Sequence, residues 1–199
     1  MIPVLILAAG TSSRMRGTDK LLEDVDGIPL LRRSVQRALA TGAAVYVCLP
    51  AAPHPRYSAL ENLGLTTVPV ADAAQGMSVS LRAGLQALPA DTPAVMVLLA
   101  DMPDLTTEDF NTVLQTIDLN SKLLIWRATT RDGAAGHPIV FRDTLFAPLM
   151  GIEGDTGGSD IVKANRDKTV MVRLPDNHAR TDLDTPEAWD AWRKSRPLT

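Results

Sequence analysis

Short apolar runs alternate with amphipathic stretches along this chain, and that alternation constrains its fold more than any other feature. Strands that are apolar on both faces belong to a mostly parallel sheet, because the crossovers between parallel strands lay helices over both of its sides. The apolar runs predict strands over residues 3–8, 44–49, 94–99, 122–126, 138–141 and 169–174. The run at 94–99, Ala-Val-Met-Val-Leu-Leu, carries no polar alternation and is therefore expected at the centre of the sheet. Between the strands, helices are predicted over 29–41, 56–63, 78–87, 107–118, 143–149, 159–165 and 185–193. Pro29 opens the first of these where a missing N–H costs nothing, Gly42 stops it, and Thr106 is the expected cap of the helix at 107–118. The expected fold class is α/β: a Rossmann-like three-layer α/β/α arrangement with a mostly parallel central sheet. A length of 199 residues suits one such domain, so a single domain over 1–199 is expected.

The formal net charge of −3 is spread without a basic stripe, which speaks against a nucleic-acid partner. No apolar run approaches the ~20 residues of a membrane span. The first strand begins at residue 3 without a basic lead, so no signal peptide is expected. The single cysteine, Cys48, lies in the run Val45-Tyr46-Val47-Cys48-Leu49 and reads as a buried core thiol. Together these features point to a cytoplasmic protein acting on a small molecule.

In open α/β sheets ligands settle beyond the carboxyl ends of the strands, and three such places hold unusual residues. After the first strand comes Ala8-Ala9-Gly10-Thr11-Ser12-Ser13-Arg14-Met15, followed by Lys20. Small residues there allow close backbone approach and expose N–H groups to phosphate oxygens, while Arg14 and Lys20 add fixed positive charge. The loop matches neither the Walker A pattern nor the dinucleotide Gly-x-Gly-x-x-Gly fingerprint, which makes a hydride-transferring enzyme a poor reading. After the predicted central strand comes Ala100-Asp101-Met102-Pro103, where Asp101 either holds Mg²⁺ with substrate phosphates or caps the following turn. Near the end, Asp182-Leu183-Asp184-Thr185-Pro186 leads into a helix, and Asp184 either completes the metal site or is a solvated acid at the helix start. Residues 131–137 read as a loop or hairpin tip over the site. His54, His137 and His178 are too scattered for a zinc site to be argued from spacing, and His54, between two prolines, reads as a solvated loop residue.

The three segments in this order resemble the MobA-like nucleotidyltransferase family, whose Leu-Ala-Ala/Gly-Gly loop ends in Arg-Met with a lysine nearby. Three further segments are similar to its molybdenum cofactor cytidylyltransferase branch: 75–85, beginning Gln75-Gly76-Met77; Gly136-His137-Pro138-Ile139-Val140-Phe141; and Gly154-Asp155-Thr156-Gly157-Gly158. The resemblance implies transfer of CMP from CTP to the terminal phosphate of the molybdopterin cofactor, with release of pyrophosphate. It implies that Leu7, Ala8, Ala9, Gly10, Thr11 and Ser12 hold the nucleotide with Gln75, Gly76 and Ser80, the last three at the pyrimidine. Arg14 and Lys20 would meet the phosphates as the catalytic cations, Asp101 and Asp184 would hold Mg²⁺, and His137 would face the acceptor. Ala9 is typical of pyrimidine-using relatives, where guanylyl-transferring ones more often carry glycine. Two departures stand out: Arg16 follows Met15 and delays the glycine to Gly17, and Ala100 replaces a glycine before Asp101. Implied partners are CTP, the molybdopterin cofactor, and a molybdoenzyme or cofactor-delivery protein. The rivals are GTP as donor, a sugar or isoprenoid-precursor phosphate as acceptor, or a nucleotide-binding carrier without turnover.

Overall fold

The computed structural model describes residues 1–152 and 158–196. Residues 154–157 of the segment that resembles the cytidylyltransferase branch lie outside the described residues. Among the described residues the strands of the main sheet are β1 (Val4–Leu7), β4 (Val45–Pro50), β5 (Thr66–Val70), β6 (Ala94–Leu99), β7 (Ile125–Thr129), β8 (Ala135–Arg142) and β9 (Thr169–Arg173). Their spatial order is β5-β4-β1-β6-β8-β7-β9. The first four run parallel, β9 is parallel to β7, and only β8 is antiparallel to its neighbours. The mostly parallel expectation therefore holds, and β6 is the middle strand of the seven, as its unbroken apolar run implies.

Both faces of the sheet are covered. Val4, Ile6, Val45, Val47, Met96 and Trp126 point to one side, where α1 (Leu30–Leu39), α4 (Thr107–Gln115) and α7 (Pro186–Ser195) pack. Leu5, Cys48, Val95, Ile139 and Phe141 point to the other, under α3 (Met77–Gln86) and α5 (Phe146–Met150). Alternate residues of β1 thus feed separate cores, the period of two that a strand imposes. Cys48 is a core thiol as expected: its Sγ donates to the Ser80 carbonyl at 3.1 Å, and burial pushes its pKa up to about 12.

Several expectations shift. β5 was absent from the predicted strands, because Thr66-Thr67-Val68-Pro69-Val70 is an exposed edge with a short, mixed pattern. A small hairpin, β2 (Asp24–Val25) with β3 (Ile28–Pro29), also escapes the periodicity reading because it spans only four paired residues. β7 lies three residues later than the apolar run at 122–126. The helix expected at 56–63 shortens to α2 (Pro55–Ser58), for which His54 is the cap, accepting from the Arg56 N–H through Nδ1 at 3.3 Å. The caps at Thr106 and Thr185 are as expected.

The loop after β1 is braced from behind by a charge pair. Arg56, 1% exposed, donates Nε and Nη2 to the two carboxylate oxygens of Asp19, both at 2.8 Å, and Nη1 to the Ala8 carbonyl at 2.6 Å. Ser12 joins this pair, accepting from Arg56 Nη2 and donating to Asp19, while Met15 is buried in the core beneath. The delayed glycine shows its consequence here, since Arg16 and Gly17 are both left-handed, with φ of 53° and 102°. Burial opposes ionisation of Asp19, but the Arg56 hydrogen bonds and charge outweigh it and hold the carboxyl below 3.8.

A carboxyl depressed in the folded state stabilises the protein above its unfolded value and loses that contribution as pH falls through the folded value. Arg56→Met is therefore expected to cost about 3 kcal/mol at pH 7, because it leaves a partly buried carboxylate without its partner. In denaturant unfolding the gap between wild type and variant should narrow as pH drops below 3.8. A gap that does not change with pH would show that Asp19 gains nothing from the pair.

Candidate active site

Three chain segments converge at the carboxyl ends of β1 and β6. Asp101 is set there by backbone bonds on both sides: the Ala100 N–H donates to the Leu7 carbonyl at 3.3 Å, and the Leu183 N–H donates to the Asp101 carbonyl at 3.2 Å. The buried Ser34 hydroxyl of α1 adds a bond to the Ala100 carbonyl at 3.1 Å. Asp184 arrives from the run into α7, where Thr185 takes the capping task by accepting from the Ala188 N–H and leaves the Asp184 carboxylate free. Lys20 follows the Asp19 turn and enters between them, donating to Asp101 Oδ2 and, at 2.5 Å, to Asp184 Oδ1.

The electrostatics of this group follow from its low exposure. Side chains of Lys20, Asp101 and Asp184 are 15%, 13% and 19% exposed, whereas Arg14, which reaches Asp184 at 2.7 Å, is 68% exposed. Lys20 is thus a fixed charge and Arg14 a movable one. Burial would lower the Lys20 pKa, but the charges of Asp101 and Asp184 overcome it and raise it, so the amine stays protonated. Burial likewise opposes the charge of Asp184, yet Lys20 holds its carboxyl low. Asp182 goes the other way: burial, then its hydrogen bond to Asp184, raises its pKa.

The carboxylates suit a hard divalent cation. Asp101 Oδ1 is buried without a hydrogen-bond partner, and an unpaired buried carboxylate oxygen is costly unless a cation meets it. The alternative that Asp101 caps its turn has no hydrogen bond behind it. Among the described residues no three acids, histidines or cysteines are grouped to hold a metal by themselves. Two carboxylates are what an ion such as Mg²⁺ needs when substrate phosphates and water complete its shell.

In front of this group, Leu7, Ala8, Ala9, Gly10 and Thr11 line a cavity of about 300 Å³ together with Lys20, Asp101, Gly76 and Ser80. A second space of about 610 Å³ adjoins it across Ala9, Gly10 and Thr11 and includes Ser12, Asp19 and Arg56. Gln75 stands apart from the rest of its predicted set: it ends the 3₁₀ turn Ala73–Gln75, is exposed, and lines neither space.

His137 lies on β8 in a bulge. Arg127 pairs with Ile139 and Thr129 with Ala135, so Ala128 alone faces Gly136, His137 and Pro138. Such a bulge re-aims the residues it carries. Burial first, and Arg127 second, push the His137 pKa down to about 4, while Asp101 opposes them, so near neutral pH the imidazole is uncharged. The tip at 130–134 is the β7–β8 hairpin turn, closed by the Thr130 N–H to the Ala134 carbonyl at 2.9 Å. His178 is elsewhere, with Nδ1 2.8 Å from Asp109. Sequence reasoning missed the pairing of Arg56 with Asp19. No local pattern marks it, because each residue acts through a partner far along the chain.

Comparison with known proteins agrees with this geometry. The family model described as MobA-like NTP transferase domain matches residues 4–170. The purine catabolism protein PucB of Bacillus subtilis is 26% identical over 96% of this chain and 95% of its own length. A probable molybdenum cofactor guanylyltransferase of Natronomonas pharaonis is 33% identical over 74% of this chain, which spans 65% of that protein, just under two thirds. Among solved structures, Rv0371c of Mycobacterium tuberculosis H37Rv is 25% identical with a TM-score of 0.81, over 97% of this chain and 95% of that one, and it has also been solved in complex with manganese. Matched over most of its length and carrying the fold and the loop such enzymes need, the chain belongs to the MobA-like NTP transferase family and is an enzyme of the nucleotidyltransferase kind.

Proposed function

We propose that this enzyme transfers CMP from CTP to the terminal phosphate of the molybdopterin cofactor and releases pyrophosphate. The observation that carries this reading is Lys20 held between Asp101 and Asp184, facing the cavity that the Ala8–Thr11 backbone shares with Gly76 and Ser80. The triphosphate lies along the loop, where backbone N–H groups and the mobile Arg14 meet its oxygens. The acceptor phosphate attacks the α-phosphorus in line, one P–O bond forms, the bond to the β-phosphate oxygen breaks, and pyrophosphate leaves with the electron pair. The attacking phosphate is already ionised near neutral pH, so no side chain has to remove its proton. Positioning and charge neutralisation therefore supply the rate.

Asp101 and Asp184 would hold a divalent ion, Mg²⁺ in this reading, which would neutralise charge on the phosphates when bound. The manganese in the Rv0371c structure belongs to that protein and is of the same chemical class. Lys20 keeps the two carboxylates together and carries its charge to the phosphates. Neutral His137 meets the acceptor as a hydrogen-bonding group. CTP is favoured by Ala9, whose methyl leaves less room for a double-ring base than the glycine more often found there in guanylyl-transferring relatives. GTP is the second reading, supported by the likeness to the Natronomonas guanylyltransferase.

Pyrophosphate release with each of CTP, GTP, ATP and UTP, with and without molybdopterin cofactor, separates these readings. Acceptor-dependent release that is fastest with CTP is expected. Faster release with GTP would overturn the choice of base, and release without molybdopterin, driven instead by a sugar phosphate, would overturn the choice of acceptor.

Asp101→Asn is expected to lower kcat by about 10² or more with only a small change in melting temperature, since the side-chain volume is kept and Lys20 retains Asp184 as its partner. Lys20→Met should raise KM for the triphosphate and lower kcat together, because it takes a cation from the phosphates and leaves Asp101 and Asp184 repelling each other. Wild-type kinetics in either variant would remove that residue from the machinery.

A further inference from the structure

Among the described residues neither Arg127 nor Arg180 has a carboxylate partner, and both lie beside the Gly136-His137 backbone. By contrast Arg131 pairs with Asp176, and Arg142, at the far end of β8, donates to the carbonyls of Leu119 and Ser121. Arg127, half-buried on β7, spends only Nε, on the Gly136 carbonyl at 3.1 Å. That bond anchors its fork to the bulge that carries His137. Among the described residues no ion pair forms at Arg127 or Arg180.

Arg180 is brought to the same place by a close backbone contact. The His137 N–H donates to the Ala179 carbonyl at 2.9 Å, and a side chain at Gly136 would meet that carbonyl oxygen at 1.9 Å. The Gly136-His137 backbone and the segment bearing Arg180 are thus pressed together. A turn closed by the Arg180 and Thr181 N–H groups on the Asn177 carbonyl, at 2.8 and 2.9 Å, fixes the direction in which Arg180 leaves the chain. It lines a cleft of about 400 Å³ with Thr130, Asp132, Ala134, Asn177 and Thr181.

Two guanidinium groups brought to one stretch of backbone repel each other, and Asp132, which shares the cleft of Arg180, forms no ion pair with either among the described residues. Burial depresses the pKa of Arg127 and the charge of Arg180 depresses it further. Such a pair is stabilised when an anion lies between the forks, and guanidinium matches a phosphate with parallel N–H donors. The same stretch of backbone is tied to the site: three residues past Arg180, the Leu183 N–H donates to the Asp101 carbonyl at 3.2 Å, and His137 follows Gly136 directly.

We infer that Arg127 and Arg180 clamp the phosphate monoester of the acceptor, the group that attacks the α-phosphorus. The inference rests on the proposed use of a phosphorylated acceptor and assigns the residues that read it. The clamp offsets the repulsion between an incoming phosphate dianion and the triphosphate, and it aims the attacking oxygen past His137. Its effect falls on the acceptor and leaves the nucleotide loop alone.

The test uses Arg180→Met, at an exposed position where folding is not at stake, with Arg127→Met as the half-buried counterpart. Inorganic phosphate is titrated into each protein by calorimetry, and steady-state KM is measured separately for CTP and for molybdopterin cofactor. Loss of one charged hydrogen-bonding group should weaken phosphate binding and raise acceptor KM about tenfold or more, with KM for CTP unchanged. Equal phosphate affinity in wild type and Arg180→Met, or no phosphate binding by wild type, would overturn the clamp even if the cofactor is turned over. Phosphate binding that is lost in Arg180→Met, without turnover of the cofactor, would support the clamp and remove molybdopterin as the acceptor.

Discussion

The ammonium of Lys20 meets the carboxylates of Asp101 and Asp184, 81 and 164 residues further along the chain, with little solvent to soften any of the three charges. An unpartnered charge at that depth is costly, so the three must be delivered together or not at all. Everything that delivers them is scaffold. β1 and β6 lie side by side and end level, the Leu7 carbonyl takes the Ala100 N–H, and α7 starts where Thr185 caps it. A sheet with both faces buried is stiff enough to hold those ends in register.

Behind the loop, the Arg56–Asp19 pair does for the backbone what Lys20 does for the carboxylates. It ties the Ala8 carbonyl and the Ser12 hydroxyl together with a fork of hydrogen bonds. Fixed and movable charges are thereby separated. Lys20 and Arg56 are held, while the exposed Arg14 can leave Asp184 for a phosphate at small cost, since an exposed ion pair contributes at most ~1 kcal/mol.

The far side of the site is built differently, from a hairpin bulge rather than strand ends. Ala128 facing three residues lets Gly136-His137-Pro138 swell toward Ala179, and only a glycine fits that contact. Charge differs along the group accordingly: carboxylates with Lys20 at the strand ends, uncharged His137 in the bulge, and Arg127 bonded to the Gly136 carbonyl of that bulge.

Much of this was legible in the sequence. The unbroken apolar run at 94–99 marked the middle strand, and the caps at Thr106 and Thr185 were readable from residue type. These are local properties, set by periodicity and capping chemistry within a few residues. The edge strand β5, the late start of β7 and the short α2 were not legible, because pairing with neighbouring strands rather than local preference decides them. Between cap and ligand the sequence left Asp101 undecided. Only the tertiary structure turned its carboxylate to Lys20, gave Arg56 its partner in Asp19, and set Ala179 against Gly136, since each pairing joins segments whose separation along the chain carries no record of their distance in space.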